Sequence, residues 1–148
     1  MMNVNIKKMD GSHIKALADI EKECFSTPWS ENALNDELLN NFARFFVAEC
    51  DGETAGYIGA HNILGEVYIT NVAVSKAFRR KGIAEKLIKT LVGFCENEGM
   101  EFVTLEVRRS NEAAKKLYSK MGFEEVGERK DFYENPREDA ILMTYRKV

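Results

Sequence analysis

Two stretches of this chain of 148 residues hold side chains whose types and spacing could do chemistry. The first is Arg79-Arg80-Lys81-Gly82-Ile83-Ala84, preceded by Val72-Ala73-Val74 and followed by a long run with apolar residues at helical spacing. A strand that stops, a short basic loop and a glycine that opens a helix together make an anion site. The backbone N–H groups at a helix start have no partner within the helix, and glycine lets a phosphate approach the backbone closely. Arg79, Arg80 and Lys81 add positive charge beside it. The same segment also suits a solvated basic turn. No Gly-Lys-Ser/Thr follows, so it is not a P-loop, and the further glycines of a dinucleotide loop are missing.

The second stretch is 102–107 with the residues that follow. Strand alternation places Phe102, Thr104 and Glu106 on one face and Val103, Leu105 and Val107 on the other. Glu106 is then a carboxylate in an otherwise apolar strand, at the C-terminal end where ligand crevices of parallel sheets sit. It could also simply meet water or Arg108 there. Tyr118, on the next predicted helix, could turn its phenol into the same crevice or pack as a half-buried ring. Aromatic residues recur at two breaks in the pattern: Phe25-Ser26-Thr27-Pro28-Trp29-Ser30, and Phe132-Tyr133 before Arg137-Glu138-Asp139-Ala140. The first pair could plug the core under the first two helices, and the second could belong to a hairpin loop with one half-buried ring.

The elements that must position these residues are legible in outline. A strand is predicted over 3–7, then a helix capped by Ser12 that carries Ile14, Leu17, Ala18 and residues 21–25. Thr27-Pro28 ends it, and Ser30 caps a second short helix holding Ala33, Leu34 and Leu38. Strands over 45–50 and 55–60 flank the hairpin signal Asp51-Gly52. A longer strand over 66–74 follows Gly65. Helices at 82–98 and 111–121 end at Gly99 and Gly122, with strands at 102–107, 123–133 and 140–146. Strand, helix, strand across 66–107 demands a right-handed parallel crossover, while the hairpins are antiparallel. The predicted fold class is therefore α+β in three layers, a mixed, mostly antiparallel sheet of about seven strands with helices on both faces.

Composition limits the function classes. Hydrophobic residues make up 45% and charged residues 30%, ordinary for a globular protein. No repeat or Pro/Gly/Ser-rich linker interrupts the chain, so one domain over 1–148 is expected. The apolar runs are too short to cross a bilayer, and no apolar stretch of signal-peptide length follows Lys7 and Lys8, so a cytoplasmic protein without a membrane partner is expected. A net charge of -3 argues against a nucleic-acid partner. Cys24, Cys50 and Cys95 lie far apart among apolar residues, and with His13 and His61 they form no metal-ligand spacing. Buried thiols and no metal are expected.

The spacing Arg-x-x-Gly-x-Ala at 79–84 resembles the pyrophosphate loop of the GCN5-related N-acetyltransferase (GNAT) superfamily, and the order of elements matches over nearly the whole chain. More specific still is Leu105-Glu106-Val107-Arg108, then Ser110-Asn111-Glu112-Ala113-Ala114, Leu117-Tyr118 and Gly122-Phe123. This resembles the bacterial ribosomal-protein-alanine N-acetyltransferase family. The resemblance implies acetyl-CoA as donor and a protein N-terminus, that of a ribosomal protein, as acceptor. It implies that Val72, Ala73 and Val74 pair with the pantetheine arm and that Arg79, Arg80, Lys81, Gly82, Ile83, Ala84, Glu85 and Asn111 hold the rest of the cofactor. Glu106 is implied as general base and Tyr118 as acid for the departing thiolate. Phe25, Pro28, Trp29 and Tyr133 are implied to flank the acceptor, and Phe132 stands where relatives often carry a second tyrosine. The fold also serves small amines, antibiotics and lysine side chains, or could bind acetyl-CoA without catalysis. A pure binder needs neither Glu106 nor Tyr118.

Overall fold

The computed structural model describes residues 3–146; Met1, Met2, Lys147 and Val148 of the expected 1–148 span lie outside the described residues. In chain order the elements are β1 (Val4–Lys8), α1 (Ile14–Cys24), α2 (Glu31–Leu38), β2 (Ala43–Cys50), β3 (Glu53–Ile63), β4 (Glu66–Val74), α3 (Ile83–Asn97), β5 (Phe102–Arg108), α4 (Glu112–Lys120), β6 (Glu124–Tyr133) and β7 (Glu138–Arg146). The strands form one seven-stranded sheet in the order β1-β2-β3-β4-β5-β7-β6. Every neighbouring pair is antiparallel except β4 and β5, which run parallel with α3 between them in the chain. The expected mixed sheet with helices on both faces is what forms.

Local chemistry sets the element ends. Ser30 caps α2 as expected, its hydroxyl oxygen accepting from Ala33 N at 3.1 Å. Asn111 caps α4 in the same way. The first helix is a correction. Ser12 does not cap it: a 3-10 turn over Gly11–His13 leads into α1, the Asp10 carboxylate caps that turn by accepting from Ser12 N at 2.8 Å, and α1 follows His13 without a side-chain cap. The β2–β3 hairpin turns through Asp51 and Gly52, both at positive φ (49° and 87°), the backbone that Asp-Gly supplies.

Two apolar cores lie on opposite faces of the sheet. Leu87, Ile88 and Leu91 of α3 pack with Ile58, Val67, Val103 and Leu105 on one face, where α4 adds Leu117 and Tyr118. Leu17 of α1 and Leu34 of α2 pack with Phe45, Val47, Tyr57 and Ala73 on the other. Cys50 and Cys95 are buried, and burial pushes the Cys95 thiol up to about 11. Cys24 departs from the expectation of buried thiols. It is half-buried, with Arg79 Nη2 3.3 Å from its sulfur.

One irregularity shapes everything at the sheet's centre. The β3–β4 register runs Gly59↔Asn71 and then Ala60↔Ile69, leaving Thr70 as an extra residue in β4. A bulge of this kind reverses the alternation of side chains beyond it. Val67 and Ile69 accordingly face α3, and so do Val72 and Val74 after the bulge, while Asn71 and Ala73 turn to the α1 side. Beside the bulge, Gly59 lies against Phe45; a Cβ there would stand 2.5 Å from the ring. Phe45 is itself held by Tyr57 and Trp29, with centroids 6.1 and 6.3 Å away. Gly59→Ala is expected to cost about 1–3 kcal/mol through overpacking, read as a lower urea midpoint at unchanged m-value. An unchanged midpoint would show that the Phe45 ring is free to turn aside.

Candidate active site

β4 and β5 are paired only at Glu66↔Phe102, Val67↔Val103 and Tyr68↔Thr104, and then they separate. Beyond Tyr68 the β5-facing backbone edge of β4 has no strand partner, so its N–H and C=O groups are available to a ligand. The gap opens into a cleft of about 1200 Å³. Into it project groups from α1, β4, α3, β5, α4 and the β6–β7 hairpin.

One end of the cleft is the loop 79–82. Arg80 and Gly82 both take left-handed backbone (φ 63° and 75°), and Gly82 is the N-cap of α3 without a side-chain cap. The first intrahelical bond runs from Lys86 N to Gly82 O at 3.2 Å, which leaves the N–H groups of Ile83, Ala84 and Glu85 without intrahelical partners. Nothing lies within 4 Å of where a Gly82 Cβ would be. Open space above free N–H groups is what an anion needs. Arg79, Arg80, Gly82, Ile83, Ala84, Glu85 and Asn111 all line the cleft, as do Val72 and Val74. Lys81 does not line it and is exposed to solvent. Ala73 does not line it either, because the bulge turns its side chain into the α1-side core, where it is 4% exposed.

At the point where the strands part stands Glu106, its side chain 4% exposed. Its Oε2 accepts the Tyr68 hydroxyl, and Arg129 Nε lies 3.2 Å from its Oε1. Burial, then the hydrogen bond to Glu106, pushes the Tyr68 phenol well above its ordinary range. Tyr118 also lines the cleft, edge-on to Phe123 with centroids 5.5 Å apart. Burial raises its phenol strongly as well, so it stays a neutral O–H donor at physiological pH. A carboxylate and a neutral phenol thus face one apolar-walled space, an arrangement able to take a proton on one side and give one on the other.

The far end is aromatic. Phe25, Trp29, Phe132 and Tyr133 all line the cleft, whereas Pro28 points to solvent between lining neighbours. Burial, then the nearby Glu106 charge, lifts the Tyr133 phenol to about 12. Arg108 lies over the Tyr133 ring at 4.5 Å and holds the turn below it by bonds to Glu134 O and Pro136 O. Trp29 both packs on the core and lines the cleft. Its backbone N–H donates to Glu21 Oε1 at 2.9 Å, and Tyr57 Oη donates to Glu21 Oε2 at 2.8 Å.

Glu21, Tyr68 and Arg129 were not singled out from the sequence. Glu21 carried one signal: it is a carboxylate on the apolar stripe of α1, four residues after Leu17. Tyr68 and Arg129 reach Glu106 from other strands, and no local spacing marks them.

A profile of the Acetyltransferase (GNAT) family matches residues 14–123. The [ribosomal protein bS18]-alanine N-acetyltransferase of Escherichia coli K12 is 31% identical over 93% of this chain and 94% of its own. The crystal structure of the ribosomal-protein-S18-alanine N-acetyltransferase from Escherichia coli superposes with a TM-score of 0.90, covering 97% of this chain and 94% of that one at 29% identity. The structure of Arabidopsis thaliana NAA60 in complex with acetyl-CoA shares the fold, with a TM-score of 0.88 at 21% identity over 97% and 98% of the two chains.

The loop geometry yields a direct test. A side chain at residue 82 must adopt left-handed backbone and fill the space above the helix start. Gly82→Val is expected to weaken acetyl-CoA binding at least about tenfold by titration calorimetry, roughly 1.4 kcal/mol or more. Unchanged affinity in a folded variant would remove the loop from the ligand site.

Proposed function

The chain belongs to the GNAT acetyltransferase family and is an N-acetyltransferase, and we propose that it moves the acetyl group of acetyl-CoA to the α-amine of a protein N-terminus, that of a ribosomal protein. The observation that carries this reading is the position of Glu106: at the parting of β4 and β5, between the anion cradle at 79–85 and the aromatic walls at 25–29 and 132–133.

In this reading the pyrophosphate of the donor lies on the free N–H groups at the start of α3, and the pantetheine arm pairs with the unpartnered edge of β4 as an added strand would. The thioester then sits where the strands part. The α-ammonium enters between the aromatic walls and loses a proton to Glu106, directly or through a water. The amine nitrogen attacks the thioester carbon, and backbone N–H groups on the β4 edge stabilise the oxyanion. The C–S bond breaks as Tyr118 gives its proton to the sulfur. Both groups then return to their starting protonation by exchange with solvent.

Acceptor basicity supports the α-amine. At neutral pH roughly a tenth to a fifth of α-amines are uncharged, against fewer than about one in a thousand lysines. One carboxylate is enough for the first and a thin base for the second. Four rings at the mouth favour a slim, extended chain beginning with a small residue. Names of relatives point to alanine of a ribosomal protein.

Three outcomes are expected. Glu106→Gln keeps the shape but cannot take the proton, and should lower turnover about 10²–10⁴-fold while acetyl-CoA still binds. Tyr118→Phe should cost less, because water can protonate a thiolate. Near-normal turnover of Glu106→Gln across the pH range would leave the residue a structural role only. For the acceptor, mass spectrometry of paired peptides decides: one beginning with Ala or Ser, the other blocked at its N-terminus with a free lysine. Modification of the first alone is expected; equal or faster modification of the lysine peptide overturns the N-terminal reading.

A further inference from the structure

Both carboxylate oxygens of Glu106 have a partner. Oε2 accepts the Tyr68 hydroxyl, and Oε1 is 3.2 Å from Arg129 Nε. Its side chain is only 4% exposed with both partners in place, although Glu106 lines the cleft. The two partners differ in how they are held. Tyr68 is half-buried on a central strand, with β3 bonded on one side and β5 on the other. Arg129 stands on the edge strand β6, its side chain is 58% exposed, and it reaches Glu106 across β7, where Ala140 is its strand neighbour. A mostly solvated guanidinium on an edge strand can swing; a phenol inside a sheet cannot.

The guanidinium also has a second contact where it stands. Its carbon lies 5.9 Å from the centre of the Phe132 ring, at the outer limit of a cation–π contact, and that ring is itself 44% exposed at the acceptor mouth. Leaving Glu106 therefore does not strand the charge.

We propose that Arg129 gates the acceptor site: its guanidinium covers Glu106 in the free protein, and the ammonium of the acceptor takes its place on the carboxylate. This rests on the role assigned above to Glu106. The exchange replaces one cation by another, so the carboxylate is at no stage buried without a positive partner. An uncharged competitor offers no such replacement and meets a closed site. The gate also keeps water from Glu106 while the thioester is loaded and no acceptor is present.

Because only the uncovered form accepts the amine, removing the cover raises apparent affinity by the inverse of the uncovered fraction. Arg129→Met keeps an apolar stem and removes the charge. For a peptide beginning with alanine, its KM is expected to fall about five- to tenfold, more than kcat changes. Release of thiol from acetyl-CoA without any acceptor should rise several-fold. Methylguanidinium should suppress that release in Arg129→Met, and compete there with the peptide, while leaving the unsubstituted protein nearly unaffected. Arg129→Lys should keep a KM close to the starting value. A peptide KM unchanged or raised in a folded Arg129→Met, with no gain in hydrolysis, overturns the gate and leaves Arg129 as a group that positions Glu106. If hydrolysis rises and methylguanidinium suppresses it, yet neither protein acetylates α-amine peptides, the gate stands and the N-terminal acceptor reading fails.

Discussion

The parallel contact between β4 and β5 lasts three residue pairs and then ends. Parallel strands joined through a helix would ordinarily continue, since each further pair satisfies two backbone groups. Here the extra residue at Thr70 bends β4 and reverses its alternation, and the strands separate just beyond Tyr68. That separation does several things together. It leaves a stretch of strand edge unpaired in the middle of a sheet, where edges are otherwise absent. It brings Glu106 of β5 to the rim of the gap. It also lets groups from both faces of the sheet, α1 on one side and α4 on the other, reach the same space.

Opening a sheet at its centre leaves polar groups in awkward surroundings, and the chain satisfies them unevenly. Glu21 is 1% exposed, yet it accepts from Trp29 N, Tyr57 Oη and Asn71 Nδ2. A buried carboxylate is tolerable only with such donors around it. These bonds also fix the loop bearing Trp29 to the sheet, so one wall of the cleft is set by a hydrogen-bond network. Thr70 Oγ1 and Asn71 Oδ1 have no partner and are shielded from solvent. Both belong to the bulged stretch, where the ladder is already broken.

Much of this was legible in the sequence, for physical reasons. Helices announced themselves through apolar spacing and through Ser30, Gly99 and Gly122 at their ends, and the loop before α3 through a glycine preceded by basic residues. The first helix was misread at its start because Ser12 is a capping type, whereas a 3-10 turn capped by Asp10 occupies that stretch and leads into α1. The bulge had a trace: apolar residues in β4 fall at 67 and 69 and then at 72 and 74, a slip in phase across Thr70-Asn71. Lys81 and Pro28 were grouped with neighbours that do face the cleft, because a motif marks a segment and not the direction of each side chain. The partners of Glu106 left no trace at all, since Tyr68 and Arg129 lie 38 residues before it and 23 after it, and meet it only through the order of strands.

The strand that carries Arg129 has a further consequence. β6 is the last strand of the sheet, and nearly every residue in it is exposed. An open strand edge invites a second molecule to extend the sheet, which is the route to aggregation. Glu124, Glu125, Glu128, Arg129, Lys130 and Asp131 crowd this edge with charge of both signs, and a register break between Arg129 and Tyr133 interrupts its pairing. An approaching strand would have to bury those charges or displace them. Protection of the open edge and, under the gate proposed above, access to Glu106 fall to the same ten residues, so a change made for one bears on the other.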